Sequence, residues 1–165
     1  MNKAAELTFG LEDVTDKVKA VHDWIVTSKY YDCDSLIQGC RKSQDALAVM
    51  EYGMGVCEGY ANLASAMLRS LGIQTKYISS QTLQHGWNHV NIGAIENPDW
   101  RLLDCTWDDP VGDNLPADYI RWDNCLVEDL KGGKDPHSAS DQEESIGRSI
   151  SIGRGHDDGT ESIAY

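Results

Sequence analysis

Apolar residues recur at helical spacing in two segments of the chain. Val14, Val18, Val21 and Ile25 follow one another at intervals of four, three and four, which predicts an amphipathic helix over about residues 12–28. The second segment starts at Cys57. Its apolar face comprises Tyr60, Ala61, Ala64, Met67, Leu68 and Leu71. This face predicts a buried helix that begins at Cys57 and ends at Gly72.

Alternating apolar and polar residues predict strands in the middle of the chain. Residues 73–80 and 85–92 alternate in this way, residues 93–98 are typical of a hairpin loop, and residues 100–107 predict the returning strand. Residues 119–127 predict a fourth strand. Ahead of them, Ser43 is the predicted N-cap of a short helix that carries Leu47 and Met50. The pattern therefore predicts helices followed by an antiparallel hairpin.

Cys57 lies where a glycine-containing loop meets the start of the predicted helix. Gly53 and Gly55 give the loop backbone freedom, and the unpaired N–H groups of a helix N-terminus favour a thiolate over a thiol. A thiolate is the form of cysteine that attacks carbonyl groups. The alternative is that Cys57 is a small buried apolar residue, as free cysteines often are.

The predicted hairpin brings a histidine and an aspartate together. With a loop at residues 93–98, the antiparallel register places Asp104 opposite Trp87 and diagonal to both His85 and His89. The helix runs about 22 Å away from Cys57, and the strand after it returns about 26 Å. His85 is therefore level with the thiol, whereas His89 lies about 13 Å further along the strand. We predict that His85 is the base for Cys57 and that Asp104 orients it.

Another histidine and several tryptophans are interpreted as surface or packing residues, and the choice between two tyrosines is left open. His22, on the first predicted helix, is interpreted as a surface or satisfied half-buried histidine. The tryptophans at positions 87, 100 and 107 are interpreted as core or cleft walls. The backbone N–H of Cys57 is one expected oxyanion donor, and either Tyr30 or Tyr31 could supply a second.

The charge of the chain bears on its partners. The 165 residues carry a formal net charge of −13, which argues against sequence-independent binding of nucleic acid. Basic or lysine-bearing proteins or peptides are favoured, unless the acidic excess serves only solubility. No membrane partner is expected, because no apolar run is long enough to cross a bilayer.

The cysteine pattern argues against a disulfide scaffold or a structural metal site. The five cysteines, at positions 33, 40, 57, 105 and 125, include no Cys-x-x-Cys pair, so neither a metal nor another cofactor is expected. Without an apolar signal segment at the N-terminus, a cytoplasmic protein is expected; a fragment of a longer chain would leave a secreted or surface location open.

Residues 131–165 differ in composition from the rest. This tail is acidic, rich in glycine and serine, short of large apolar residues, and repeats the sequence Ser-Ile-Gly-Arg at 145–148 and 151–154. We predict a catalytic domain at residues 1–130 and a mostly disordered tail at 131–165. A chain shortened to residue 130 is expected to stay folded and active.

Three ordered segments resemble the motifs of the transglutaminase-like superfamily: Gly-Val-Cys-Glu-Gly-Tyr-Ala-Asn-Leu at 55–63, His-Gly-Trp-Asn at 85–88, and Leu-Leu-Asp-Cys-Thr-Trp-Asp-Asp-Pro at 102–110. The resemblance covers about residues 12–130. It implies an α+β, papain-like core in which the nucleophile helix packs on an antiparallel sheet. By motif, it implies that Cys57 is the nucleophile, His85 the base and Asp104 its partner.

The family includes protein cross-linkers, cysteine peptidases, amidases and inactive relatives. The resemblance therefore implies a cysteine enzyme that attacks a carboxamide or peptide carbonyl and releases the acyl group to an amine or to water. A catalytically inactive interaction domain is the alternative. Two features depart from the family pattern: Cys105 stands where proline is usual, and the hairpin between His85 and Asp104 is longer.

Overall fold

The computed structural model describes residues 3–34, 42–109, 121–128, 137 and 140–145. The helices are α1 (Lys3–Leu7), α2 (Val14–Ser28), α3 (Ala46–Tyr52) and α4 (Cys57–Ser70). The strands are β1 (Tyr30–Tyr31), β2 (Met54–Gly55), β3 (Thr75–Ser80), β4 (His85–Asn91), β5 (Trp100–Leu103), β6 (Cys125–Glu128) and β7 (Glu143–Ser145). No helix in the described ranges is sufficiently long and apolar to cross a membrane.

Side chains cap the helices that lead to Cys57. The Asp13 carboxylate accepts hydrogen bonds from the backbone N–H groups of Thr15 and Asp16, which places the start of α2 close to its predicted position. The predicted cap of α3 is wrong. Asp45, not Ser43, caps α3, and the Ser43 hydroxyl donates a hydrogen bond to the Asp45 carboxylate.

Helix α4 is the centre of the main core. It packs on α2, α3 and the sheet, and the predicted apolar face is the buried one. The core contains Val18, Val21, Ile25, Val49, Tyr60, Leu63, Ala64, Met67, Leu68, Val90 and Leu103. This arrangement confirms the α+β class, with the helix of Cys57 packed on an antiparallel sheet.

The sheet has five strands in the order β6-β5-β4-β3-β7, and all its pairs are antiparallel. Asn88 pairs with Leu103, so the next position in the same register sets Trp87 opposite Asp104, as predicted. Strand β5 is shorter than expected, because Asp104 begins a turn. The turn forms because the Asp104 carboxylate accepts hydrogen bonds from the backbone N–H groups of Thr106 and Trp107.

Part of the predicted disordered tail belongs to the sheet. Strand β7 pairs with β3, with Glu144 opposite Ile78, and Asp141 accepts hydrogen bonds from Ser80 and Thr82. Residues 137 and 140–145 therefore have a defined position within a tail for which the sequence predicts mostly disorder; the rest of 131–165 lies outside the described residues. Backbone pairing and polar contacts attach this segment, whereas the prediction considered only its low apolar content.

Candidate active site

The chain before Cys57 is held by close backbone contacts. Strands β1 and β2 pair in parallel, with Tyr31 opposite Gly55. The Gln44 side-chain oxygen accepts a hydrogen bond from the Val56 N–H at 2.8 Å. A Cβ atom at Gly59 would lie 2.6 Å from that oxygen and 2.7 Å from a methyl of Val49. The glycine thus allows the side chain of Gln44 to fix the first turn of α4.

Cys57 is the first residue of α4, and its sulfur is surrounded by hydrogen-bond donors. Burial raises the pKa of the thiol, but a hydrogen bond and charge from His85, with backbone hydrogen bonds from Gly86 and Glu58, bring the pKa below its usual value. The predicted nucleophile therefore lies beside the predicted base, and the environment favours a thiolate.

His85 lies at the start of β4 between Cys57 and Asp104. Its Nε2 is 2.5 Å from Oδ2 of Asp104, which leaves Nδ1 as the nitrogen available to Cys57. Burial lowers the pKa of His85, but the hydrogen bonds to Asp104 and Cys57 outweigh it and raise the pKa to about 9. Both shifts favour a thiolate and imidazolium pair over the neutral thiol and imidazole.

Asp104 is only 1% exposed and accepts four hydrogen bonds. Its Oδ1 accepts from the N–H groups of Thr106 and Trp107, and its Oδ2 accepts from Nε2 of His85 and Nε2 of His137, the latter at 2.9 Å. Burial raises the pKa of Asp104, but the bonds from His137 and His85 bring the pKa below its usual value. A buried carboxylate needs such donors to remain ionised.

The model of the transglutaminase-like superfamily matches residues 2–105, which include Cys57, His85 and Asp104. This chain belongs to the transglutaminase-like superfamily. A comparison with curated proteins found no match.

Solved structures with the superfamily fold are similar to this chain. One is a putative cysteine protease from Cytophaga hutchinsonii, 25% identical with a TM-score of 0.51 over 87% of this chain and 44% of its own. Another, described as a TGase, is 20% identical with a TM-score of 0.49 over 63% of this chain and 30% of its own. This transglutaminase-like chain therefore spans less than half the length of either of these proteins.

Two tryptophans pack against the His85 ring in this transglutaminase-like chain. The His85 ring lies nearly parallel to Trp107, with 4.8 Å between ring centroids, and stacks on Trp87 at 5.7 Å. Trp87 is 1% exposed. These contacts agree with the prediction that Trp87 and Trp107 are packing residues. These two ring contacts restrict the rotation of His85.

His137 is the site neighbour that the sequence did not reveal. No motif surrounds it, and it falls outside the superfamily match. Ligand atoms of His85, Asp104 and His137 lie within 4.8 Å of one another, a donor set that a metal ion could use. However, His85 and His137 lie 2.5 and 2.9 Å from the Asp104 oxygen. Two ligand atoms on one tetrahedral metal are about 3.3 Å apart. The distances therefore fit direct hydrogen bonds between these groups.

Tyr31 is the tyrosine that reaches the site. Burial and, next, the nearby Cys57 raise the pKa of Tyr31. Tyr30 is 64% exposed on the other side of the strand. Of the two tyrosines, Tyr31 is therefore the one that lies beside Cys57.

His22 is more deeply buried than predicted. It is fully buried, with Nε2 3.1 Å from Asp108 and Nδ1 2.9 Å from Asp23. Burial lowers the pKa of His22, but the bonds to Asp108 and Asp23 outweigh it, and the net pKa is raised. Asp108 also accepts two hydrogen bonds from Asn124. These contacts connect α2 to the turn after Asp104 and thereby support the site.

Proposed function

We propose that this protein is a cysteine-dependent acyl-transfer enzyme. The observation that carries the proposal is the position of His85 beside Cys57 at the N-terminus of α4, with its Nε2 2.5 Å from Oδ2 of Asp104. The pKa of each of the three groups is shifted in the direction that the chemistry requires. The pKa of the thiol is lowered, that of the imidazole is raised and that of the carboxyl is lowered.

In the first half of the reaction, the Cys57 thiolate attacks the carbon of a carboxamide or peptide carbonyl and forms a C–S bond. In this proposal the Cys57 backbone N–H and the hydroxyl of the neighbouring Tyr31 donate to the developing oxyanion. The His85 imidazolium gives its proton to the leaving nitrogen, the C–N bond breaks, and a thioester and a free amine remain.

In the second half, neutral His85 takes a proton from the attacking nucleophile. Attack by an amine forms a new amide, and attack by water forms a carboxylic acid; in both cases the C–S bond breaks and the thiolate returns. Since the formal net charge is −13, a basic or lysine-bearing protein or peptide is the proposed substrate class.

Limited alkylation tests whether Cys57 has the predicted reactivity. The described cysteines include Cys33, which is exposed, and Cys105, which is 3% exposed. Burial raises the pKa of Cys105 well above its usual value and that of Cys125 to about 12. We expect substoichiometric iodoacetamide at slightly acid pH to label Cys57 first, as read by peptide mass spectrometry.

The control for this experiment is Cys33→Ala, which removes an exposed thiol that is not a member of the proposed triad, compared with Cys57→Ala. Labelling should survive the first substitution and disappear with the second, at an unchanged melting temperature. Preferential labelling of any other cysteine would reject the proposal and favour an inactive interaction domain.

Turnover is tested with a glutamine-bearing peptide, with and without a lysine-like amine. Mass spectrometry distinguishes the amide product, which retains the added amine, from the hydrolysed acid. Cys57→Ala should abolish both products. A reactive Cys57 that formed no thioester with carboxamide or peptide substrates would contradict the proposed acyl transfer.

A further inference from the structure

The C-terminal strap, defined as residues 137 and 140–145, is attached to the sheet beside the site. Its strand β7 pairs with β3, and Glu144 forms an ion pair with Lys76 at 2.8 Å. The Asp141 carboxylate accepts hydrogen bonds from the Ser80 hydroxyl at 2.7 Å and the Thr82 backbone at 2.8 Å. These bonds lower the pKa of Asp141 to about 2. The strap is therefore anchored at the end of β3 that adjoins the start of β4.

This anchorage places His137 behind the base. His137 is 2% exposed, and its ring centroid lies 4.0 Å from that of Trp107 and 5.1 Å from that of Trp87. Its backbone carbonyl accepts a hydrogen bond from the Gln142 side chain. The ring thus fills the space between the two tryptophans that enclose His85, with Nε2 directed at Asp104.

Asp104 depends on donors that do not take part in proton transfer. In the proposed reaction His85 gives up and regains a proton, so its contribution to the carboxylate varies during the cycle. The amides of Thr106 and Trp107 serve the other oxygen, Oδ1. His137 is the second donor to Oδ2 of Asp104, and it takes no part in the proposed proton transfer.

We propose that His137 is a positioning residue that the C-terminal strap supplies to the active site, where its hydrogen bond keeps Asp104 oriented toward His85 and ionised. The inference rests on the proposed function, since it concerns the reactivity of Cys57 through His85. It also revises the expectation from composition: a chain shortened to residue 130 stays folded but loses part of the reactivity of Cys57.

The direction of the effect follows from the burial of Asp104. Burial raises the pKa of the Asp104 carboxyl, and its hydrogen-bond donors lower it. Loss of the bond from His137 removes one of these donors, so the pKa of Asp104 rises. A less ionised Asp104 stabilises the His85 imidazolium less. The smaller imidazolium population in turn stabilises the Cys57 thiolate less. The acid limb is the low-pH part of the plot of Cys57 alkylation rate against pH. It should therefore move to higher pH by about one unit, the smaller end of the pKa shift that a neighbouring charge causes.

The test uses the full chain and three substitutions at one position. His137→Ala removes the ring and the donor, His137→Phe retains an aromatic ring without a donor, and His137→Gln retains an N–H donor on a smaller side chain. The rate of iodoacetamide labelling of Cys57 is measured by mass spectrometry from about pH 4 to about pH 10, and each melting temperature is recorded. Glu143→Gln, on the exposed β7 strand, is the matched control.

We expect the acid limb to shift in His137→Ala and in His137→Phe, to return toward wild type in His137→Gln, and to stay unchanged in Glu143→Gln. A lower melting temperature with an unshifted limb in His137→Ala would overturn the proposal, because a purely structural role lowers stability alone. The proposal would also be overturned if His137→Phe had the wild-type pH profile and His137→Gln did not, since ring packing rather than hydrogen bonding would then be decisive.

These outcomes are separate from failure of the proposed function. The proposed function fails if wild-type Cys57 is not the most reactive thiol. The role of His137 fails if wild-type Cys57 is reactive and the donor-free variants keep its pH profile.

Discussion

Replacing His85 should change the pH at which Cys57 becomes reactive. In His85→Gln the thiol loses its hydrogen bond to the imidazolium and the attraction of that charge, the two main causes that lower its pKa. Burial remains and raises the pKa. The apparent pKa of Cys57 should therefore move up to the free cysteine value of about 8.5 or above it.

The size of the rate change depends on where on the pH scale it is measured. Below the pKa, each unit of upward shift reduces the thiolate fraction tenfold, while the more basic thiolate becomes about 2.5- to 3-fold more nucleophilic. The net loss is about three- to fourfold per unit. Loss of a neighbouring opposite charge shifts a pKa by about 1–3 units, so labelling in acid should slow by roughly 3- to 60-fold. Above both pKa values the variant should react as fast as wild type or faster.

The matched control is His89→Gln. His89 is on the same strand, is 5% exposed and pairs with Leu102 in the centre of the sheet, about 13 Å further along than His85. Complete profiles of alkylation rate against pH are needed, because the two opposing effects make a single rate near neutral pH uninformative. An upward shift in His89→Gln with an unchanged profile in His85→Gln would refute the assignment of the base.

Two further predictions concern the frame of the site. Gly59→Ala should destabilise the protein by about 1–3 kcal/mol in urea unfolding, because the new methyl would lie 2.6 Å from Gln44 and 2.7 Å from Val49; an increase in stability would show that these contacts relax freely. The raised pKa of His22 should stabilise the protein fully below the unfolded-state pKa of about 6.5, with the effect lost as pH rises through the folded-state pKa. Wild type should thus exceed His22→Leu in unfolding free energy by more at about pH 6 than at about pH 9, and a pH-independent difference would contradict the linkage.

The tail shows where composition fails as a guide. A low apolar content predicts little hydrophobic burial, but it does not exclude a strand that pairs with a sheet edge or a carboxylate that binds hydroxyl and amide groups. Residues 141 and 143–145 use these interactions. His137 could not be recognised from sequence, because its partner Asp104 is 33 positions away and no local pattern relates the two.

The local pattern of the chain by itself determined the elements that carry the predicted triad. Helical periodicity located the start of α4 at Cys57. The alternation of side chains along the strands, with the position of the loop, set the register that brings Trp87 opposite Asp104. Both signals depend on neighbours in sequence. Tertiary structure alone decided the contacts around these residues. It set Tyr31 beside Cys57, buried His22 against Asp108 and brought His137 to Asp104, because each contact joins segments whose separation in space depends on how the whole chain packs.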